Sequence, residues 1–175
     1  MATMKRQNRG KKFEAEIEEA FQRVHGVSID RLPDPMGGYS GVKNICDYHA
    51  FHAPNEFYIE CKCHYGNTLN YKSDIRVNQW DGLTEKSKIP YCVAGVAVWF
   101  IDYDLTVFVN ITDLNEHRKT HKSLNVNDIM GVDAIPHFVI NGAKKRTMFK
   151  YDGEDFLNKL HKLSNKIWGE FKVNE

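Results

Sequence analysis

The sequence predicts an α/β fold in which a central mixed sheet is flanked by helices. Three observations predict it. An apolar stripe with helical spacing (Phe13, Ile17, Ala20, Phe21 and Val24) lies near the start of the chain. The run Tyr91 to Ile101 (YCVAGVAVWFI) is almost wholly apolar, as a strand covered on both faces must be. A second helical stripe, Phe156, Leu157, Leu160, Leu163, Ile167 and Trp168, lies near the end. The 175 residues suit one domain. A chain of that size buries roughly 70% of the surface it exposes when unfolded, so no staple is needed.

The elements follow in order. Residues 1–12 carry five Lys/Arg and no acid, and read as a flexible basic arm ahead of a single domain over 13–175. The first helix runs from Lys11 to His25 and stops at Gly26. Val27 to Leu32 reads as a short strand, and Pro33 to Gly41 as a loop. Ile45 to His52 and Glu56 to His64 read as paired strands turning at Pro54-Asn55. Ser73 and Asp74 can cap a helix over Ile75 to Lys88. The central strand Tyr91 to Ile101 turns at Asp102 to Asp104 and returns as Leu105 to Ile111. Thr112 can cap a polar helix reaching Lys122. Ser123 to Gly142 shows no clear periodicity, Arg146 to Tyr151 reads as a strand, and Asp152 caps the last helix.

Composition narrows the function classes. A formal net charge of +1 means that any nucleic-acid surface must be local. No apolar run reaches membrane-spanning length, and the N-terminus has no secretory pattern. Cys46, Cys61, Cys63 and Cys92 read as reduced core thiols of a cytoplasmic protein.

The chemistry concentrates in two segments. Asp47 lies in Ile45-Cys46-Asp47-Tyr48, and thirteen residues later comes Ile59-Glu60-Cys61-Lys62-Cys63. Strand alternation puts Glu60, Lys62 and His64 on one face and Ile59, Cys61 and Cys63 on the other. Pairing of the two strands lets Asp47 meet Glu60. Adjacent carboxylates repel unless a cation lies between them, and Mg²⁺ favours such oxygen donors. The Cys61 backbone carbonyl is a third oxygen in reach. A lysine two residues beyond the second acid can orient a water or offset charge on a phosphorane-like transition state. Glu14 or Glu18, on the first helix, can reach the same site.

Asp47 followed by Glu60-Cys61-Lys62 resembles the PD-(D/E)xK nuclease signature. Asn8-Arg9-Gly10-Lys11-Lys12-Phe13-Glu14, Cys46-Asp47-Tyr48, Glu60-Cys61-Lys62 and Asn78-Gln79-Trp80 together resemble RecU-type Holliday junction resolvases, phage and prophage versions included. The resemblance spans about residues 8 to 110. It implies a restriction-endonuclease-like α/β/α core, a homodimer, Mg²⁺ with Mn²⁺ as substitute, and paired nicks across a four-way DNA junction. For a phage-encoded chain it implies the bacterial host cytoplasm. It makes Glu14, Asp47 and Glu60 metal-site acids, with the Cys61 carbonyl beside them. Lys62 becomes the catalytic lysine and Gln79 an active-site residue. Arg9, Lys11, Lys12, Lys72 and Arg76 become DNA contacts. RecU proteins carry a longer insert before the catalytic Asp, which forms a stalk entering the junction. Here about twenty Gly- and Pro-rich residues separate the first helix from Asp47. A restriction- or repair-type enzyme acting on duplex DNA, or a non-catalytic DNA-binding module, therefore stays open beside the resolvase.

Other clusters have blander readings. Cys46, Cys61, Cys63, His49, His52 and His64 lack C-x-x-C spacing, and alternation separates the thiols from His64, against zinc. His64 can instead support the acidic site from behind. Gly37 to Gly41 lacks the Lys-Ser/Thr of a phosphate cradle and reads as a loop able to close over DNA. Lys144-Lys145-Arg146 is a local basic cluster, and Trp80, Trp99 and Trp168 fall on core stripes.

Overall fold

The structure, a computed structural model, describes residues 2–33 and 43–172. The chain opens with α1 (Ala2–Gln22), β1 (Ser28–Arg31), β2 (Tyr48–His52), β3 (Asn55–His64), β4 (Thr68–Asn70), α2 (Tyr71–Asp74) and α3 (Val77–Ser87). It continues through β5 (Cys92–Phe100), β6 (Leu105–Asn110), α4 (Ile111–His117), β7 (Ser123–Asn125) and α5 (Val126–Met130). It closes with β8 (Phe138–Val139), β9 (Gly142–Lys144), β10 (Phe149–Tyr151) and α6 (Gly153–Trp168).

Six strands form the main sheet in the order β1-β2-β3-β5-β6-β8. The β3–β5 pair is parallel and every other neighbouring pair antiparallel, so the sheet is mixed as expected. β5 lies at its heart and is buried at every residue. Its alternation feeds two cores. Val93, Ala97 and Trp99 pack with Phe13, Ile17 and Phe21 of α1 and Phe156, Leu157 and Leu160 of α6. Ala94, Val96, Val98 and Phe100 pack with Trp80 and Leu83 of α3 and Ile111 and Leu114 of α4. The α/β class with helices on both faces is therefore the observed one. Burying the apolar side chains of β5 stabilises the fold by about 25 cal/mol for each Å² removed from water.

Several boundaries differ from the sequence expectation. Residues 2–12, expected as a flexible arm, form the first turns of α1. Lys, Arg, Met, Gln and Ala are good helix formers, and the long helix behind them supplies the nucleus. The hairpin turns at Ala53-Pro54, one residue earlier than expected, and Asn55 is drawn into β3. Its buried amide accepts from Ser164 Oγ at 2.6 Å and lies 2.5 Å from His161 Nδ1, so α6 fixes the turn. The helix expected over 75–88 begins at Val77 with Arg76 as its N-cap, and the expected caps Ser73 and Asp74 belong to a separate turn before it. Asn70 caps the single turn of α2, and Ile75 and Arg76 are extended before α3 begins at Val77. α4 starts at Ile111, not after a Thr112 cap, and ends at His117. The unreadable stretch 123–142 holds β7, α5 and β8. Most of the expected Pro33–Gly41 loop, including Gly37 to Gly41, lies outside the described residues. Among the described residues no helix is long and apolar enough to cross a membrane.

Candidate active site

The hairpin register builds the site. Tyr48 pairs with Ile59, so one step further Asp47 stands across from Glu60. The Cys61 N–H donates to Asp47 Oδ2 at 2.7 Å, which fixes the acid against the strand. On β3 the alternation expected from sequence holds: Phe57, Ile59 and Cys61 enter the α1 core, and Glu60 and Lys62 turn to the other face. That face is not simply solvated. Glu60 is only 2% exposed, because α3 lies over it.

Glu60 is held from two sides. Lys62 Nζ lies 2.6 Å from Glu60 Oε1, and Gln79 Nε2 donates to the same oxygen at 2.6 Å. The Gln79 amide is oriented by its own helix end, where its Oε1 accepts the Arg76 N–H at 3.0 Å. A glutamine at the third position of α3 thus both caps the helix and reaches the acid. Glu60 Oε2 is buried with no hydrogen-bond partner. Burial and then the neighbouring Asp47 push the Glu60 carboxyl up to about 7, against the pull of Lys62 and Gln79.

These residues share one cleft of about 220 Å³ with Glu14 and the Cys61 backbone. Glu14 reaches it from α1, where Arg31 Nη2 donates to its Oε2 at 2.7 Å. Glu18 does not; it accepts from Tyr48 OH at 3.2 Å. Lys11 and Arg76, expected as DNA contacts, line the cleft, whereas Lys12 and Lys72 are exposed elsewhere. Arg9 is turned away, its Nη1 donating to the Thr147 carbonyl and its guanidinium 6.0 Å from the Trp99 ring centroid. Beyond the lining Leu32 and Cys46, the structure adds three cleft side chains with polar nitrogens that sequence reasoning missed: Arg31, Lys43 and Asn44. Arg31 became a neighbour only because β1 pairs antiparallel with β2, setting Arg31 opposite Tyr48. Lys43 and Asn44 carry no local signal at all.

The three acids do not converge as a ready-made ligand set: their oxygens are not all within 4.8 Å of one another. Each answers to a different partner, Arg31, the Cys61 N–H, and Lys62 with Gln79. The donor set nonetheless fits a hard cation. An acceptor oxygen of Glu60 is buried without a donor, and Asp47 and Glu60 raise each other's electrostatic cost. The thiols do not compete for that role. Burial pushes Cys46 up to about 12 and Cys63 to about 11, so both stay protonated. His64 stands at the end of β3 with Nε2 3.7 Å from Asp74 Oδ2, away from the cleft residues.

No known family model matches the sequence, and no curated protein matches it. Among solved structures the chain is similar to Hjc, a Holliday junction resolvase from the archaeal hyperthermophile Archaeoglobus fulgidus. The identity is 18%, the match covers 70% of this chain and 100% of that one, and the TM-score is 0.44. A likeness of that size transfers neither activity nor site residues.

Proposed function

We propose that the protein is a divalent-metal-dependent DNA endonuclease that hydrolyses backbone phosphodiesters, acting as a homodimer to make paired cuts in four-way junctions. One observation carries the reading. Asp47, Glu60 and Lys62 meet Glu14 and Gln79 in a cleft rimmed by Lys11, Arg31, Lys43 and Arg76. Acids beneath a basic rim suit a phosphodiester, whose charge the rim attracts while the acids can hold a cation against it. Asp47, Glu60 and the Cys61 carbonyl would hold Mg²⁺, or Mn²⁺ in its place, with Glu14 at its side. When bound, the ion polarises a phosphate oxygen and lowers the pKa of a coordinated water.

The chain's own groups do the rest. Gln79 holds Glu60 in one orientation and leaves its second oxygen open. Lys62, with a fifth of its side chain exposed, presents its ammonium at the cleft surface, where it orients water and offsets charge on the five-coordinate phosphorus. Arg31, Lys43 and Arg76 grip flanking phosphates. A new P–O bond forms from water as the bond to the departing sugar oxygen breaks. One proton leaves the water and one reaches the leaving oxygen.

Asp47→Asn and Lys62→Ala are expected to lower Mg²⁺-dependent nicking of a labelled four-way junction by at least roughly a hundredfold. Gel-shift binding of the same junction is expected to survive. Normal cleavage by either variant overturns the assignment of the site. A second reading, cleavage of duplex DNA, is favoured by the short connection before Asp47. Cleavage of the matched linear duplex at the junction's rate would establish that reading in place of the first.

A further inference from the structure

Away from the cleft, the ends of α4 and α5 bring three metal-ligating side chains together. His117 and His121 are four apart, and the His121 N–H donates to the His117 carbonyl at 3.0 Å, which carries helical spacing past the end of α4. Their rings stack in parallel, 4.0 Å between centroids and 9° between planes, so the exposed His121 ring must turn out of the stack for both in-plane lone pairs to meet one ion. Asp128 approaches from α5 with Oδ2 3.8 Å from His117 Nε2. One ligand atom from each of the three lies within 4.8 Å of the others, and no other such group occurs among the described residues.

The groups behind the cluster point the same way. Tyr71 OH lies 2.7 Å from His117 Nδ1, which leaves Nε2 as the nitrogen facing Asp128. Tyr71 is itself buried and braced edge-on against Trp80, 5.4 Å between centroids. Asp128 Oδ2 also accepts the Asn125 N–H at 2.7 Å. An imidazole whose far nitrogen is hydrogen-bonded, beside an oriented carboxylate, is how proteins prepare metal ligands.

We propose that His117, His121 and Asp128 bind one zinc-class divalent transition-metal ion, with water completing the shell. Two imidazoles favour such an ion over Mg²⁺, which prefers an all-oxygen set. The exposed His121 gives the ion an entry path. The ion fastens α4 to the β4–β7 ribbon, because Tyr71 follows β4 and Asp128 follows β7. None of the three residues lines the cleft, so this site stands or falls apart from the nuclease reading.

The test uses the full chain freed of metal by a chelator. Zn²⁺ is titrated by calorimetry, and Co²⁺ is followed by its visible absorption. Asp47→Asn serves as the background, to weaken ion binding in the cleft. The expected result is one equivalent of Zn²⁺ bound and a tetrahedral Co²⁺ spectrum. Zn²⁺ at a hundredfold excess over Kd is expected to raise Tm by about 5–10 °C. His121→Ala, at an exposed position, is expected to keep the circular dichroism of the parent and weaken Zn²⁺ binding at least roughly tenfold. Tyr71→Phe is expected to weaken it by a similar factor. No binding below roughly 100 µM, or binding that His121→Ala and Asp128→Asn leave unchanged, overturns the proposal.

Discussion

Glu60 shows how one side chain concentrates the demands of a site. It is buried, faces Asp47, and still carries an oxygen without a donor. Its carboxyl rises from an ordinary 4.5 to about 7 on folding. A carboxyl raised on folding contributes its full stability below the unfolded value and loses it as pH climbs through the folded one. In metal-free protein the Glu60→Gln variant is therefore expected to gain on the parent between pH 5 and pH 8. The gain should be on the order of 1–3 kcal/mol in urea unfolding. A gap that does not change with pH would show that the buried carboxylate is not strained. The same strain explains why Lys62 and Gln79 both converge on the other oxygen: truncating either leaves a buried charge with fewer partners, which costs more than the lost bond itself.

At the scale of elements, α3 decides where Asp47 can be. A Cβ built on Gly82 would meet Ile45 Cγ2 at 2.1 Å and Ile45 Cβ at 2.5 Å. Only a bare backbone lets the segment leading to Asp47 lie against the helix. Gly82→Ala gains about 1 kcal/mol of helix propensity, yet it is expected to destabilise the protein by about 1–3 kcal/mol through overpacking. It should also slow nicking more than its stability loss explains, because Asp47 moves with Ile45. A variant with raised Tm and full activity would show that the segment can shift freely. Asn78 Nδ2 adds a second tie, donating to the Asn44 carbonyl at 2.7 Å. The Asn78-Gln79 pair therefore positions both acids from one helix turn.

Across the whole molecule, charge is nearly balanced at +1, while Lys11, Arg31, Lys43 and Arg76 collect around one cleft. Counterion release makes that clustering measurable, since log K falls with log salt by about 0.9 for each duplex phosphate neutralised. Arg76→Ala is expected to weaken DNA binding across sequences and reduce the salt slope by about 1. An unchanged slope would place the phosphates elsewhere on the surface. The sheet is what permits this concentration. Its parallel β3–β5 pair sets β3 beside the fully buried β5, so the acid-bearing strand has a rigid neighbour.

The sequence by itself determined the layers, the buried central strand and the two faces of β3. These follow from periodicity, a local property that each segment carries with it. It also marked Asp47, Glu60 and Lys62 as candidates, because strand alternation and a single hairpin link them. Only the tertiary structure decided the rest. Arg31 and Lys43 join the cleft through strand pairing and chain path, and Arg9, so close to Glu14 in sequence, is turned to Thr147 and Met148 instead. The burial of Glu60 depends on α3 crossing over it, and the meeting of His117, His121 and Asp128 depends on how α4, β7 and α5 pack. Such contacts join residues far apart in the chain, and no local pattern encodes the geometry of their approach.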